Sequence, residues 1–370
     1  MSSETTSDSA MSMFEVHPSS HPRTLAERTA ALEHLAFGTV FSDHMAHAVW
    51  TPDAGWHDQR VEAYAPISLD PAAAVLHYAQ EIFEGLKAYR HADGSVWAFR
   101  PEANAARFAA SAHRLALPEL PAAQFLGSIE ALVATDLEWV PGSAGSSLYL
   151  RPFMFASEPF LGVRPSKQVD YLLIASPSGP YFTSGFQPVS IWVAEDYHRA
   201  GPGGTGAAKC GGNYAASLLP QQQAIENGCA QVCFLDAATN TYLEELGGMN
   251  VFIVTDDGEV HTPALTGTIL EGVTRRSILQ LLADDGRRVN ERQISLAEIT
   301  EQIASGRITE VFACGTAAVV TPVGALKSTG FDLTVGDGVA GAVTQWLYQH
   351  LTDLQYGRVE DPYGWMRRLA

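Results

Sequence analysis

Lysine is the residue this 370-residue chain does nearly without: only Lys87, Lys167, Lys209 and Lys327 occur, and arginine carries almost all the positive charge. With a net charge of −18 nothing here would neutralise a run of phosphates, which excludes nucleic acid as a partner. Long apolar runs are missing too. None reaches the roughly 18 residues of a membrane helix, so no membrane partner is expected. Cysteine is limited to Cys210, Cys229, Cys233 and Cys314, without a Cys-x-x-Cys pair or clustered histidines. That argues for reduced thiols, and against a disulfide framework or a metal site. The first dozen residues are rich in serine and threonine and carry Glu4 and Asp8, unlike a secretory signal or a transit peptide. Residues 1–30 are therefore expected to form a flexible segment, and the protein to be cytoplasmic.

What is present fits a compact protein with substantial cores: 46% of residues are hydrophobic and 17% charged. The length predicts two domains. Asp70-Pro71 reads as an N-cap and first helical residue, with a helix running to Gly85. The segments LKAYR and SVWAF flank Asp93-Gly94, a hairpin signal. Pro101 opens a helix containing Arg107, a longer helix is expected over 122–140, and SLYLRPFMF and DYLLIAS have strand length. This half mixes hairpins and helices as an α+β unit. Turn residues thicken over 179–188, which reads as a linker between a smaller α/β domain at 31–178 and a larger one at 189–370. Beyond it come the strand VSIWVAED, a Gly-rich segment, and a helix from Tyr214 kinked by Pro220. QVCFLD with TYLEEL and NVFIVTDDGEVHT read as hairpins. A helix is expected over 269–283, a long strand interrupted by Gly315, and a closing helix from about Val339 to Leu354. So many hairpins predict a largely antiparallel second domain.

Lys209 lies in Gly201-Pro-Gly-Gly-Thr-Gly-Ala-Ala-Lys209-Cys-Gly-Gly-Asn213, where small residues leave its ammonium little neighbouring bulk. A lysine that attacks an aldehyde must be neutral part of the time, and desolvation or nearby positive charge allows this. The bland alternative is a solvated loop lysine. A P-loop is ruled out by spacing, and because Cys210 replaces the hydroxyl that would bind Mg²⁺. A pyridoxal phosphate enzyme also needs an acid against the ring nitrogen and a cradle for the phosphate. Glu244 and Glu245 end a strand, and alternation predicts one inward and one outward. Thr268 and Ile269, after Gly267, lead toward a helix N-terminus that would face an anion. Gly315, Thr316 and Ala317 offer a strand break with a hydroxyl. Arg107 could supply fixed charge. Each of these reads equally as an ordinary turn or surface residue when taken singly.

Together the segments resemble the branched-chain amino acid aminotransferases, of the fold-type IV group of pyridoxal phosphate enzymes. The resemblance rests on Phe83-Glu-Gly-Leu-Lys-Ala-Tyr-Arg90, Tyr149-Leu-Arg151-Pro, Leu161-Gly-Val163, Lys209-Cys-Gly-Gly-Asn-Tyr214, Glu245-Leu-Gly-Gly-Met-Asn250, Leu270-Glu-Gly-Val-Thr-Arg275 and Glu310-Val-Phe-Ala-Cys-Gly-Thr316. These run in family order from about residue 37 to the C-terminus. The resemblance implies a mixed α/β fold of two domains with the active site at their interface, the second a barrel-like sheet with helices and the cofactor-binding domain.

It implies pyridoxal 5'-phosphate as cofactor, Lys209 as Schiff-base lysine and proton shuttle, and Glu245 as partner of the ring nitrogen. Tyr214 would bond the ring's phenolic oxygen. Arg107, Thr316 and the amides of Thr268 and Ile269 would hold the phosphate, and Leu265 would pack on the ring. Phe37, Tyr78, Phe83, Tyr149, Arg151 and Tyr181 would line the substrate pocket, with Gly248, Ala317 and Ala318 beside them. Aromatic walls suit leucine, isoleucine and valine, while Arg151 with Tyr149 suits the distal carboxylate of glutamate. Leu161 and Val163 would reach in from a second subunit of a homodimer. The reaction would exchange amino groups between branched-chain amino acids and 2-oxoglutarate by a ping-pong mechanism.

Gly248 stands where several family members carry threonine, and Ala318-Val-Val-Thr321 where some carry a redox Cys-x-x-Cys pair. D-amino acid aminotransferases and aminodeoxychorismate lyases share the fold but are generally shorter and lack the Phe83–Arg90 match. A non-catalytic phosphate-binding protein is the alternative from another class.

Overall fold

The computed structural model of the protein describes residues 13–33, 35–179 and 185–370. It divides into two compact units, one of Met1–Tyr181, Ala208–Gly211 and Asp353–Ala370, the other of Phe182–Ala207 and Gly212–Thr352. Residues 1–12, and residues 180–184 of the expected linker, Tyr181 included, lie outside the described residues.

The first unit is built on a sheet ordered Glu15–Val16, Gly55–Ala63, His44–Thr51, Val169–Ser178, Ser147–Ala156, Leu86–Arg90, Val96–Phe99 and Met366–Arg368. Its longest ladder joins Ser147–Ala156 antiparallel to Val169–Ser178. Alternation along Ser147–Ala156 sends Leu148, Leu150 and Met154 into the core, all fully buried, and leaves Tyr149, Arg151 and Phe153 for the other face. The helices Pro101–Arg114 and Ala122–Thr135 cover the core side. Phe108 packs at 5.4 Å from Phe125 and 5.8 Å from Tyr171 between ring centroids. The Asp93-Gly94 hairpin forms as the turn chemistry requires, with Gly94 at φ 88°.

One expected helix forms only in part and gives way to a short strand. Helical residues are confined to Ala74–Tyr78, which ends where Ala79 enters the left-handed region at φ 48°. The strand Glu81–Phe83 follows and pairs with Ser147–Ala156. Local capping signals lose here to tertiary packing, because an edge on the long strand buries Ile82 completely.

The second unit carries a sheet ordered Leu243–Leu246, Gln231–Leu235, Val189–Ala194, Val319–Ser328, Ile308–Gly315, Asn250–Thr255, Val260–Pro263 and Val289–Arg292, with Phe331–Thr334 beside Val319–Ser328. Its hairpins are antiparallel, while Val189–Ala194 pairs in parallel with two neighbours and Val260–Pro263 with one. The expected interrupted strand is a hairpin: Ile308–Gly315 turns through Thr316–Ala318 into Val319–Ser328. The helix expected from residue 269 starts at Val273, so residues 265–272 form a turn instead of a helical N-terminus. The helix expected from Tyr214 is two short ones, Gly211–Ala215 and Leu218–Glu226, and Pro220 falls in the first turn of the second, where its missing N–H costs nothing. No helix among the described residues is long and apolar enough to cross a membrane.

Candidate active site

Lys209 is clamped by its backbone. Its N–H donates to Ser111 Oγ at 3.0 Å, and its carbonyl accepts from Phe83 N at 3.0 Å, fastening the segment to helix Pro101–Arg114 and strand Glu81–Phe83. The ammonium lies 4.7 Å from the centre of the Phe83 ring. One residue on, Glu84 is a site residue that motif reading missed. Its fully buried carboxylate takes Arg107 Nε at 2.7 Å and Arg107 Nη2 at 2.9 Å, with Asn104 Nδ2 at 2.7 Å. Burial pushes this carboxyl up, but the Arg107 and Lys209 cations and the Asn104 amide outweigh it and hold it below the ordinary value. Arg107, expected as fixed positive charge, is thus oriented by a bidentate carboxylate.

Arg151 stands over two rings, 4.8 Å from Phe83 and 5.3 Å from Tyr149, and its Nη2 donates to Tyr149 Oη at 3.1 Å. Its Nε is buried without a partner among the described residues. Phe37 meets Tyr149 edge to face at 4.8 Å. Gly85 is required beside them, because a Cβ there would run into the Tyr149 hydroxyl. Tyr78 Oη bonds the Leu161 carbonyl, and Leu161 and Val163 are 62% and 87% exposed. The first unit therefore assembles Lys209, Phe83, Arg107, Tyr149, Arg151 and Phe37, and sets Tyr78 with the displayed apolar pair.

In the second unit both tandem carboxylates are buried, Glu244 at 4% and Glu245 at 2% exposure. The expectation of one inward and one outward fails because this strand is covered on both faces. Glu245 Oε1 pairs with Arg199 Nη1 at 2.9 Å and accepts Leu270 N at 2.7 Å. Arg199, also missed, is 4% exposed and donates further to the carbonyls of Thr268 at 3.0 Å and Gly206 at 3.1 Å. Only its position just before the glycine-rich segment could have flagged it. Thr268 and Ile269 are each 3% exposed, and their N–H groups take no partner among the described residues. Two buried amides left open on one turn are a ready anion cradle.

Leu265, on the same turn, is 39% exposed. Tyr214 lies in helix Gly211–Ala215, and a Cβ on Gly248 would sit 3.8 Å from its ring, so the missing side chain at 248 leaves room beside Tyr214. Thr316, Ala317 and Ala318 make the turn of the 308–328 hairpin, which Val319 closes at φ 61°. A β-branched residue is strained there, and such strain gathers at ligand-holding turns. All four cysteines are free and buried, and burial pushes the Cys233 thiol up to about 12.

A family model described as amino-transferase class IV matches residues 81–326. The chain is 54% identical over 360 residues to the branched-chain-amino-acid aminotransferase of Mycolicibacterium smegmatis, covering 96% of this chain and 98% of that protein. It is 55% identical over 358 residues to a probable branched-chain-amino-acid aminotransferase of Streptomyces coelicolor, covering 96% and 99%. Its fold is similar to the crystal structure of the T.th. branched-chain amino acid aminotransferase complexed with N-(5'-phosphopyridoxyl)-L-glutamate, with a TM-score of 0.72 and 26% identity over 88% of this chain and 99% of that one.

Proposed function

This chain belongs to the class IV aminotransferases, and on that premise we propose that it transfers the amino group of leucine, isoleucine or valine to 2-oxoglutarate with pyridoxal 5'-phosphate as cofactor. The observation that carries the reading is the donor set: a lysine backed by aromatic rings, a buried carboxylate held by an arginine, and a turn with two open buried amides. Such a set fits an aldehyde, a cationic ring nitrogen and a phosphate. When bound, the cofactor supplies a carbonyl that exchanges amines and a ring that takes up the electron pair released at Cα.

The chain's own residues do the rest. Lys209 would hold the cofactor through its amine and would carry the proton to and from Cα. Glu245, fixed by Arg199 and Leu270 N, keeps the ring nitrogen protonated. Tyr214 bonds the phenolic oxygen and Leu265 packs on the ring. Arg107, Thr316 and the Thr268 and Ile269 amides hold the phosphate. Phe37, Tyr78, Phe83 and Tyr149 exclude water around the apolar side chain, while Ala317 and Ala318 with Gly248 border the α-carboxylate. Arg151, whose buried Nε has an unmet donor, receives the distal carboxylate of glutamate. The glutamate adduct bound by the T.th. enzyme supports glutamate as one of the substrates. The two half-reactions alternate at one site, as a ping-pong cycle, in a homodimer to which Leu161 and Val163 lend apolar contacts.

Purified protein is expected to be yellow, and borohydride should fix the cofactor on the peptide containing Lys209. Lys209→Ala should keep its circular dichroism and lose leucine–2-oxoglutarate transamination. Retained turnover in that variant would sink the assignment.

A further inference from the structure

Glu244 has no part in the chemistry just described, yet it is buried as deeply as a core residue and wired to the turn that offers the open amides. Thr268 Oγ1 donates to Glu244 Oε1 in a short hydrogen bond, and Thr266 Oγ1 meets Thr268 Oγ1 at 2.7 Å. Glu244 Oε2 is buried without a partner among the described residues and borders a cavity of about 160 Å³, whose walls include Asp236, Tyr242, Thr266 and Thr268.

The same turn is tied at its other polar groups. Arg199 takes the Thr268 carbonyl, Glu245 the Leu270 amide, and Asn250 Nδ2 the Leu270 carbonyl at 3.0 Å. The Thr268 backbone also lies so close to Gly206 that no Cβ fits there. With these groups spoken for, the Thr268 and Ile269 amides stand open on buried residues, placed to meet an anion, and Glu244 is the tie that fixes the Thr268 side chain.

We propose that Glu244 is a positioning residue for the cofactor phosphate, acting through the Thr268 hydroxyl to aim the Thr268 and Ile269 amides. This rests on the pyridoxal phosphate reading above. The two neighbouring glutamates divide the work: Glu245 anchors the ring nitrogen and the Leu270 end of the turn, Glu244 the Thr268 end. A charged carboxylate next to a phosphate would repel it, and the burial of Glu244 works against that charge. Burial raises its carboxyl above the ordinary value and Asp236 adds to the effect, against the Thr268 hydrogen bond, Arg199 and His198. Glu244 orients the turn through the Thr268 hydroxyl, its contact being with that side chain and not with the amides.

The test compares binding of pyridoxal 5'-phosphate and of pyridoxal, which lacks the phosphate, to apo-protein of the full chain. Glu244→Ala is expected to weaken pyridoxal 5'-phosphate roughly tenfold, the order of one buried hydrogen bond, and to leave pyridoxal unchanged. Glu244→Gln, neutral and of the same shape, should restore wild-type binding of both. Thr268→Val should reproduce the Glu244→Ala effect, and the double variant should add little to it. Should Glu244→Ala fail to fold, Thr268→Val and Glu244→Gln carry the comparison. Equal losses for both ligands, or unchanged pyridoxal 5'-phosphate binding in Thr268→Val, would overturn the assignment of Glu244. Wild-type protein that binds neither ligand overturns the cofactor reading itself, a separate outcome.

Discussion

Lys87 is 8% exposed in the strand Leu86–Arg90, and burial lowers its ammonium from the ordinary 10.5 to about 8. The cause is desolvation by burial, which penalises the charged form in the folded protein. Below about pH 8 both folded and unfolded chains hold the proton, and the penalty is constant. Between about 8 and 10.5 the folded protein has shed it while the unfolded chain has not, so stability rises with pH through that window. From about pH 7.5 to about 9.5 the gain is about 2 kcal/mol. Lys87→Met removes the titrating group at similar length. Denaturation midpoints at those two pH values should rise for the wild type relative to the variant, and parallel pH profiles would refute the explanation. Glu84 shows the opposite outcome for a buried charge: Arg107 forks onto it, and its carboxyl falls below the ordinary range.

At the scale of elements, Glu310 shows how one side chain sets a helix. Its Oε1 accepts Val343 N at 3.0 Å, and its Oε2 accepts Thr344 N at 2.8 Å and Thr344 Oγ1 at 2.7 Å, so it caps Ala342–Gln355 from a strand. A carboxylate at that end satisfies orphan amides and complements the helix dipole. Glu310→Ala is expected to cost about 2 kcal/mol of stability while leaving turnover per folded molecule intact. An unmoved unfolding midpoint would show that the cap is idle. The cap also marks the limit of what was legible in the sequence. The Asp93-Gly94 and Asp257-Gly258 hairpins and the Pro101 helix were readable because their signals are local. The Asp70–Gly85 stretch misled because its capping signal is local but its outcome, the Glu81–Phe83 strand, is decided by a partner about seventy residues on. Lys209, Glu245 and Arg151 stood out through motifs. Arg199 and Glu84 did not, since what gives them a role is a buried ion pair joining distant segments, which no spacing rule encodes.

For the whole molecule, the loop around Leu161 bears on assembly. Its backbone is tied down: Tyr78 bonds the Leu161 carbonyl, Arg164 pairs with Glu158 at 2.7 Å and 3.0 Å, and the Lys167 amide donates to Glu158 at 2.6 Å. Arg164 also covers the Phe160 ring at 3.9 Å. A loop held this firmly while displaying Val163 at 87% and Leu161 at 62% exposure loses little entropy on docking, which suits it to a second copy of the chain. If these side chains complete the partner's substrate pocket, as proposed, their removal affects substrates before cofactor. Leu161→Ser with Val163→Ser should raise the KM for leucine several-fold and leave pyridoxal 5'-phosphate binding unchanged, since no residue assigned to the cofactor belongs to this loop. Leu161→Asp with Val163→Asp should go further and shift the assembled species toward the 39.8 kDa monomer in light scattering, with activity lost in step. A wild-type protein that is fully active as a monomer, or a serine variant with unchanged leucine kinetics, would leave this loop without a role in the reaction.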